Sequence, residues 1–356
     1  MIDAAAPENQ RRLAELQQRL IAAAVPSAGG IEPTRRCNLR CAHCYVGAAR
    51  AAPPPGRREL DTADWLGIID GIAAAGCLEL FFTGGEPLLR PDFPALYQRA
   101  RRAGIAVTLF TNATLVGADV LALLRELPPM SVEVSIYGGT AATHDAVTGV
   151  PGSFRAAIAG ITRLARCNSP LVVKTVLMTV NLHEFELMRA IAEDLGARWR
   201  FDAVIFPRLD GDRAPLALRV PPEAAARLDI PDGARAREWR ACYETGRDAG
   251  ASRLLFTCGA GLTNFHVDAC GTLTPCLMAP RPAADLRSTG FAAAWREIVA
   301  AVSRLEAPED SRCSGCDRRN ICGFCPPFLE LEGGAEPPAF LCELGDRRRE
   351  LSYSYR

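Results

Sequence analysis

Three cysteines stand close together in the run Cys37-Asn38-Leu39-Arg40-Cys41-Ala42-His43-Cys44-Tyr45. Their spacing, C-x3-C-x2-C, supplies three thiolates. A structural zinc site closes its tetrahedron with four ligands, so this compact trio is one short. A [4Fe–4S] cube held by three thiolates keeps one iron open to another ligand. One β/α unit downstream comes Thr83-Gly84-Gly85-Glu86-Pro87. Two glycines let a backbone approach a ligand closely, and a chain ending a buried strand there still has carbonyls to offer. Further along, Cys258, Cys276, Cys313, Cys316, Cys322, Cys325 and Cys342 form C-x12-G-x4-C, then C-x2-C-x5-C-x2-C, then a final C, with Gly271 as the glycine. Seven thiolates do not divide into four-ligand zinc sites, although C-x2-C pairs also serve zinc ribbons.

These residues need elements to hold them. A helix over 8–25 carries Leu13, Leu16 and Leu20 on one face. Six strand-like segments then alternate with helical ones: 30–34, 78–83, 106–111, 132–137, 171–179 and 199–206. The intervening helices fall at 62–75, 93–103, 118–126, 154–165 and 184–195, and Pro53-Pro54-Pro55-Gly56 breaks the chain before the first. Strict alternation predicts a parallel sheet with right-handed crossovers and helices outside. Functional residues then belong at the C-terminal strand ends. There lie the cysteine loop, the Gly84-Gly85 turn, Asn112 and Ser135, with Lys174 within the fifth strand.

The cysteine run resembles the radical S-adenosylmethionine (SAM) superfamily, and Gly84-Gly85-Glu86-Pro87 resembles that family's second signature. The later cysteines resemble the family's SPASM extension. The resemblance implies an α/β fold: a partial (β/α)6 TIM-like barrel with a small cysteine-rich C-terminal iron–sulfur domain. It divides the chain into an N-terminal helix (1–29), the barrel (30–206), a linker or lid (207–257), the auxiliary-cluster domain (258–345) and a tail (346–356). The linker is expected to be solvated.

By the same resemblance, Cys37, Cys41 and Cys44 hold a [4Fe–4S] cluster whose open iron binds SAM. Electron delivery then yields a 5′-deoxyadenosyl radical that takes hydrogen from a substrate. Carbonyls of the Gly84-Gly85-Glu86-Pro87 turn would accept from the SAM ammonium, with Glu86 anchoring the turn or adding to the binding. His43 would lie near adenine. Asn112 and Ser135 would contact ribose or methionine, or else satisfy local backbone. Lys174, the single lysine among 41 basic residues, alternates with Val172, Val176 and Met178, and a buried cation needs an anion. The SAM carboxylate is its expected partner. Two auxiliary [4Fe–4S] clusters would use Cys313, Cys316, Cys322 and Cys342 for one, and Cys258, Cys276 and Cys325 for the other. The latter's fourth position is Cys270 or open, with Cys270 read as a non-ligand. Cys77, Cys167 and Cys242 read as ordinary thiols.

Composition bounds the partners. The chain has 356 residues, 49% apolar and 23% charged, and its formal net charge is zero. That balance gives a core and no basic field for nucleic acid. Fourteen cysteines without a signal peptide or membrane-length apolar run point to a cytoplasmic, metal-rich protein. Most SPASM enzymes modify peptides, which makes a precursor peptide or protein the expected substrate and flavodoxin or ferredoxin the expected reductant. Leu277 stands where formylglycine-forming enzymes carry Asp. A peptide-recognition domain of ~80–100 residues is not expected ahead of the first helix, and a leader is expected to use a separate partner or the enzyme's own sheet edge. Tetrapyrrole side-chain chemistry is the alternative reading. A non-catalytic electron carrier is the other, and it has no need of an open iron.

Overall fold

A computed structural model describes residues 7–47, 53, 56–167, 169–248, 255–256, 258–307, 311–332 and 336–355. Nine strands form one sheet in the order β6-β5-β4-β3-β2-β1-β7-β8-β9. The first six are β1 (Ala28–Ile31), β2 (Glu79–Phe82), β3 (Ala106–Thr111), β4 (Ser131–Ser135), β5 (Leu171–Val176) and β6 (Arg198–Asp202). They run parallel, each beside its predecessor. Between them lie α2 (Thr62–Ala74), α3 (Phe93–Arg102), α4 (Ala118–Glu126), α6 (Ser153–Ala165) and α7 (Phe185–Asp194), and α1 (Pro7–Ala22) precedes them. The expected alternation is present, and α5 (Ala141–Thr148) adds a helix that the sequence reading did not include.

Period-two patterning explains why the sheet has a dry and a polar face. Leu80, Phe82, Val107, Leu109, Val132, Val134 and Val173 are buried under the helices. Phe82 meets Phe93 and Tyr97 of α3 edge-on at ring distances of 5.9 and 6.2 Å. Burying one such phenylalanine contributes about 2 kcal/mol. The alternate residues Glu79, Thr108, Ser131 and Glu133 share the other face, where Thr108 Oγ1 lies 3.4 Å from Glu79 Oε1 and 3.3 Å from Ser131 Oγ. Local signals set the boundaries. Asp61 and Asp64 cap α2 reciprocally, satisfying donors a helix start otherwise strands.

The cysteine-rich C-terminal part shares the sheet. Strand β7 (Asn264–Val267) pairs parallel with β1, and β8 (Thr272–Thr274) and β9 (Ala284–Asp285) follow antiparallel. The helices α10 (Phe291–Val302), α11 (Pro326–Leu331) and α12 (Ala339–Ser354) complete it. The segment expected as a solvated linker instead carries α8 (Pro222–Asp229) and α9 (Gly233–Asp248), packed on α12. Arg348 of α12 pairs with Asp229 at 2.6 Å and lies over the Trp239 ring, while Arg240 donates to the Ser352 carbonyl at 2.6 Å. Arginine stems cover these contacts, which is why an Ala/Arg-rich stretch looked solvated. The linker's residues 249–254 and 257 lie outside the described residues, as do Pro54 and Pro55. The expected tail is largely the second half of α12. No helix among the described residues is long and apolar enough to cross a membrane.

Candidate active site

Cys37, Cys41 and Cys44 are half-buried, and none forms a disulfide. Together they line a cavity of about 430 Å³ at the C-terminal ends of the parallel strands. The loop that carries them is fastened from several sides. The amides of Arg40 and Ala42 donate to the carbonyls of Thr148 and Val147 at 2.8 and 2.9 Å, which is the work of α5. Asn38 Nδ2 donates to Thr114 Oγ1 at 2.8 Å. The Leu209 amide donates to the Tyr45 carbonyl at 2.9 Å, so the start of the expected linker holds the cysteine loop. His43 packs edge-on to Tyr137 with ring centroids 4.4 Å apart.

The Gly84-Gly85 turn packs tightly against the chain that enters the cysteine loop. Gly84 has φ +103°, and a Cβ there would meet the Thr34 carbonyl oxygen at 2.7 Å. A Cβ on Gly85 would meet the Arg36 carbonyl oxygen at 2.0 Å. The chain entering the cysteine loop occupies that space, with Gly85 and Glu86 amides donating to Thr34 and Arg36 carbonyls at 2.9 and 2.8 Å. Glu86 is 1% exposed and both its oxygens are engaged. Oε1 accepts from Thr111 Oγ1 at 2.8 Å and the Leu88 amide at 3.1 Å, and Oε2 accepts from the Asn112 amide at 2.8 Å. Burial raises its pKa to about 7, against three hydrogen bonds that lower it. These hydrogen bonds anchor the turn to β3 and to the start of the short helix that follows. Pro87 is buried and opens a short 3-10 turn, Pro87–Leu89.

The expected rim residues stand at one level. Ser135 registers with Lys174 and Lys174 with Arg200, while Asn112 follows the pair Thr111 and Val134. All four line the cavity. Asn112 spends its side chain on the cysteine loop, donating to Asn38 Oδ1 at 2.8 Å and accepting from Thr114 Oγ1 at 2.6 Å. Ser135 hydrogen-bonds Tyr137, whose phenol is pushed up first by burial and then by Cys41. Lys174 has its anion within the protein: Nζ lies 3.4 Å from Glu133 Oε2 and 3.6 Å from the centre of the Phe110 ring. Burial lowers the lysine pKa, and Glu133 works against that. Arg200 reaches the same carboxylate at 4.0 Å. Glu133, Tyr137, Arg200 and Asp202 line the cavity and escaped the sequence reading. The available signal was period two: Glu133 shares a face with Ser135, and Arg200 and Asp202 alternate with Trp199 and Phe201.

The later cysteines gather in two groups. Cys313, Cys316, Cys322 and Cys342 line one small cavity with Arg318 and Arg319. Cys258 and Cys325 line another of about 510 Å³, and Cys276 lies close enough to interact electrostatically with both. Burial pushes Cys322 up to about 11 and Cys325 up to about 12. Cys270 is elsewhere. It is fully buried in the turn between β7 and β8, among Asp268, Arg35, Arg57 and Glu59. Cys77 donates towards the Glu79 carbonyl at 3.1 Å, Cys167 is buried just past the C-terminal end of α6, and Cys242 is exposed on α9.

A parallel β/α sheet with three thiols at its C-terminal rim, fused to a cysteine-rich extension, defines an enzyme scaffold built around metal cofactors. Residues 31–191 carry a domain that matches the Radical SAM superfamily. A radical SAM domain uses SAM and a [4Fe–4S] cluster. The half-buried trio beside one cavity fits such a cluster. The chain is 29% identical over 318 residues to an AdoMet-dependent heme synthase of Methanosarcina barkeri, covering 83% of this chain and 89% of the relative. It is 28% identical to mycofactocin maturase MftC of Mycobacterium ulcerans, over 83% of this chain and 81% of that one. Among solved structures, Streptococcus suis SuiB bound to precursor peptide SuiA aligns with TM-score 0.66 and 17% identity, over 94% of this chain and 80% of that chain. That likeness is one of fold.

Proposed function

We propose that this radical SAM enzyme modifies a ribosomally made peptide or protein by crosslinking, epimerisation or oxidation. Asp202 is the observation that carries the reading. It lines both the cavity beside Cys37, Cys41 and Cys44 and the cavity that holds Cys258 and Cys325. An elongated substrate passing Asp202 reaches both thiol groups at once. The similarity to MftC over most of both chains supports the same reading.

In this reading Cys37, Cys41 and Cys44 hold the SAM-binding cluster, and SAM bound there supplies a carbon-centred radical able to take hydrogen from an unactivated position. Cys313, Cys316, Cys322 and Cys342 hold one auxiliary cluster, and Cys258, Cys276 and Cys325 hold the other. Gly84, Gly85 and Glu86 fix the rim of the cavity, while His43, Asn112 and Ser135 shape its upper wall. Lys174 exchanges Glu133 for the SAM carboxylate when SAM enters. A flavodoxin or ferredoxin supplies electrons, and a separate leader-binding partner or the sheet edge holds the substrate. The setting is cytoplasmic.

The test is intact mass of the small peptides encoded beside this gene after anaerobic co-expression. Loss of two hydrogens, or deuterium uptake from heavy water at unchanged mass, supports the reading. Unmodified peptides with SAM still cleaved refute it. A second reading, tetrapyrrole side-chain chemistry, rests on the similarity to AdoMet-dependent heme synthases and on Lys174 and Arg200 beside the cavity, cations suited to propionate groups. Absorbance changes on adding porphyrins to the loaded enzyme separate the two.

A further inference from the structure

Strand β6 ends the sheet, since it pairs with β5 and with no other strand. Its two edges are not equivalent. Each strand residue aims its N–H and C=O to the same side, and neighbours alternate. The Asp202 carbonyl accepts from the Leu177 amide on the β5 side. Asp202, Arg200 and Arg198 therefore aim their backbone groups at β5, while Trp199 and Phe201 aim theirs away from the sheet. Among the described residues, no loop or element hydrogen-bonds to the backbone of Trp199 or Phe201 there.

The side chains alternate the other way. Trp199 and Phe201 pack on Phe185 of α7 at ring distances of 6.0 and 5.1 Å. Arg198, Arg200 and Asp202 are exposed, and Arg200 and Asp202 line the cavity beside the three cysteines. Arg200 keeps 69% of its side chain in solvent and touches Glu133 only at 4.0 Å. Arg198 forms no ion pair among the described residues. An edge strand with unspent backbone groups is a template for another strand, and this one borders the place where the chemistry belongs.

We propose that the free edge of β6 docks the substrate as an added strand, with acidic side chains at alternate positions. This deepens the peptide reading and rests on it. An extended segment here would bond to the N–H and C=O of Trp199 and Phe201. Alternate side chains would then lie beside Arg198 and Arg200 on the cavity face, and carboxylates complement these two cations. The side chains between would continue the apolar layer of Trp199 and Phe201. The backbone supplies affinity and the alternate positions supply specificity.

The experiment uses the anaerobically loaded enzyme and the capped hexapeptide Glu-Val-Glu-Val-Glu-Val as probe. Amide hydrogen exchange should slow at Trp199 and Phe201, while Arg198, Arg200 and Asp202 are already bonded to β5. Probes N-methylated only on the glutamates or only on the valines must differ in affinity by about tenfold or more, because strand addition uses alternate amides. The substitutions Arg198→Glu and Arg200→Glu should each weaken binding about threefold to tenfold, with the melting temperature as the control for folding. Equal loss from both methylated probes, protection at another segment, or tighter binding of a Lys-Val probe overturns the proposal. Mass change on a neighbouring-gene peptide with no slowing at β6 removes the docking edge and leaves the peptide reading. Slowing at β6 with every such peptide unmodified keeps the edge and removes the reading.

Discussion

Replacing Glu86 by glutamine should remove a slope in the protein's stability with pH. Glu86 is 1% exposed, and burial raises its pKa from 4.5 to about 7. A carboxyl whose folded pKa exceeds its unfolded value binds its proton more tightly in the folded chain. Its contribution to stability is fully present below 4.5 and lost as pH rises through about 7. At 1.36 kcal/mol per unit the loss amounts to roughly 3 kcal/mol. Glutamine cannot titrate, so the variant lacks this slope. It has its own cost, because an amide NH2 then faces one of the donors now satisfied, Thr111 Oγ1, the Leu88 amide or the Asn112 amide. Losing a hydrogen bond to a charged group costs about 1.5–3 kcal/mol. The two proteins should therefore be closest in stability near pH 8 and diverge towards pH 5, where the parent gains. Anaerobic thermal melts at several pH values read this as a change of about 2 °C per kcal/mol for a large domain. Equal slopes in parent and variant would refute the assignment of the titration to Glu86, and with it the view that this residue is a buried anchor.

Three further outcomes follow from particular contacts. Lys174→Met should weaken SAM binding by about tenfold, whereas Glu133→Gln should strengthen it, because Glu133 now holds the amine at 3.4 Å; isothermal titration under anaerobic conditions distinguishes them. Cys270→Ser should leave iron content unchanged, because Cys270 lies among Asp268, Arg35, Arg57 and Glu59, while Cys276→Ser should lose iron from one cluster as read by metal analysis. Asp229→Ala should lower stability by about 3 kcal/mol in melts, since it leaves Arg348 buried without its carboxylate; a drop below about 0.5 kcal/mol would mean that α8 and α12 are held by packing alone.

The sequence by itself determined the alternation of strands and helices, because period-two and helical patterns are local. It also carried the Cys37, Cys41 and Cys44 trio, since ligand spacing within a loop is a local constraint, whereas the division of the later cysteines into two groups came from the family resemblance. The residues brought together across strands were harder to read. Asn112, Ser135 and Lys174 were legible because unusual side chains ended or interrupted apolar strands. Glu133, Arg200 and Asp202 were not, because alternating charges also mark a merely solvated strand.

Tertiary structure decided the partners. Lys174 belongs with Glu133 only because β4 and β5 register Ser135 opposite Lys174. Gly85 is required by the Arg36 carbonyl oxygen, contributed by a residue far off in sequence. Helices α8 and α9 looked like a solvated segment because their burial comes from α12, over 90 residues later in the chain. Cys270 and Cys276 are only six residues apart, and the β7–β8 hairpin sends them to different neighbours. Spacing fixes which atoms can share a loop, but which atoms share a cavity depends on strand register and helix packing, and those are settled only when the whole sheet assembles.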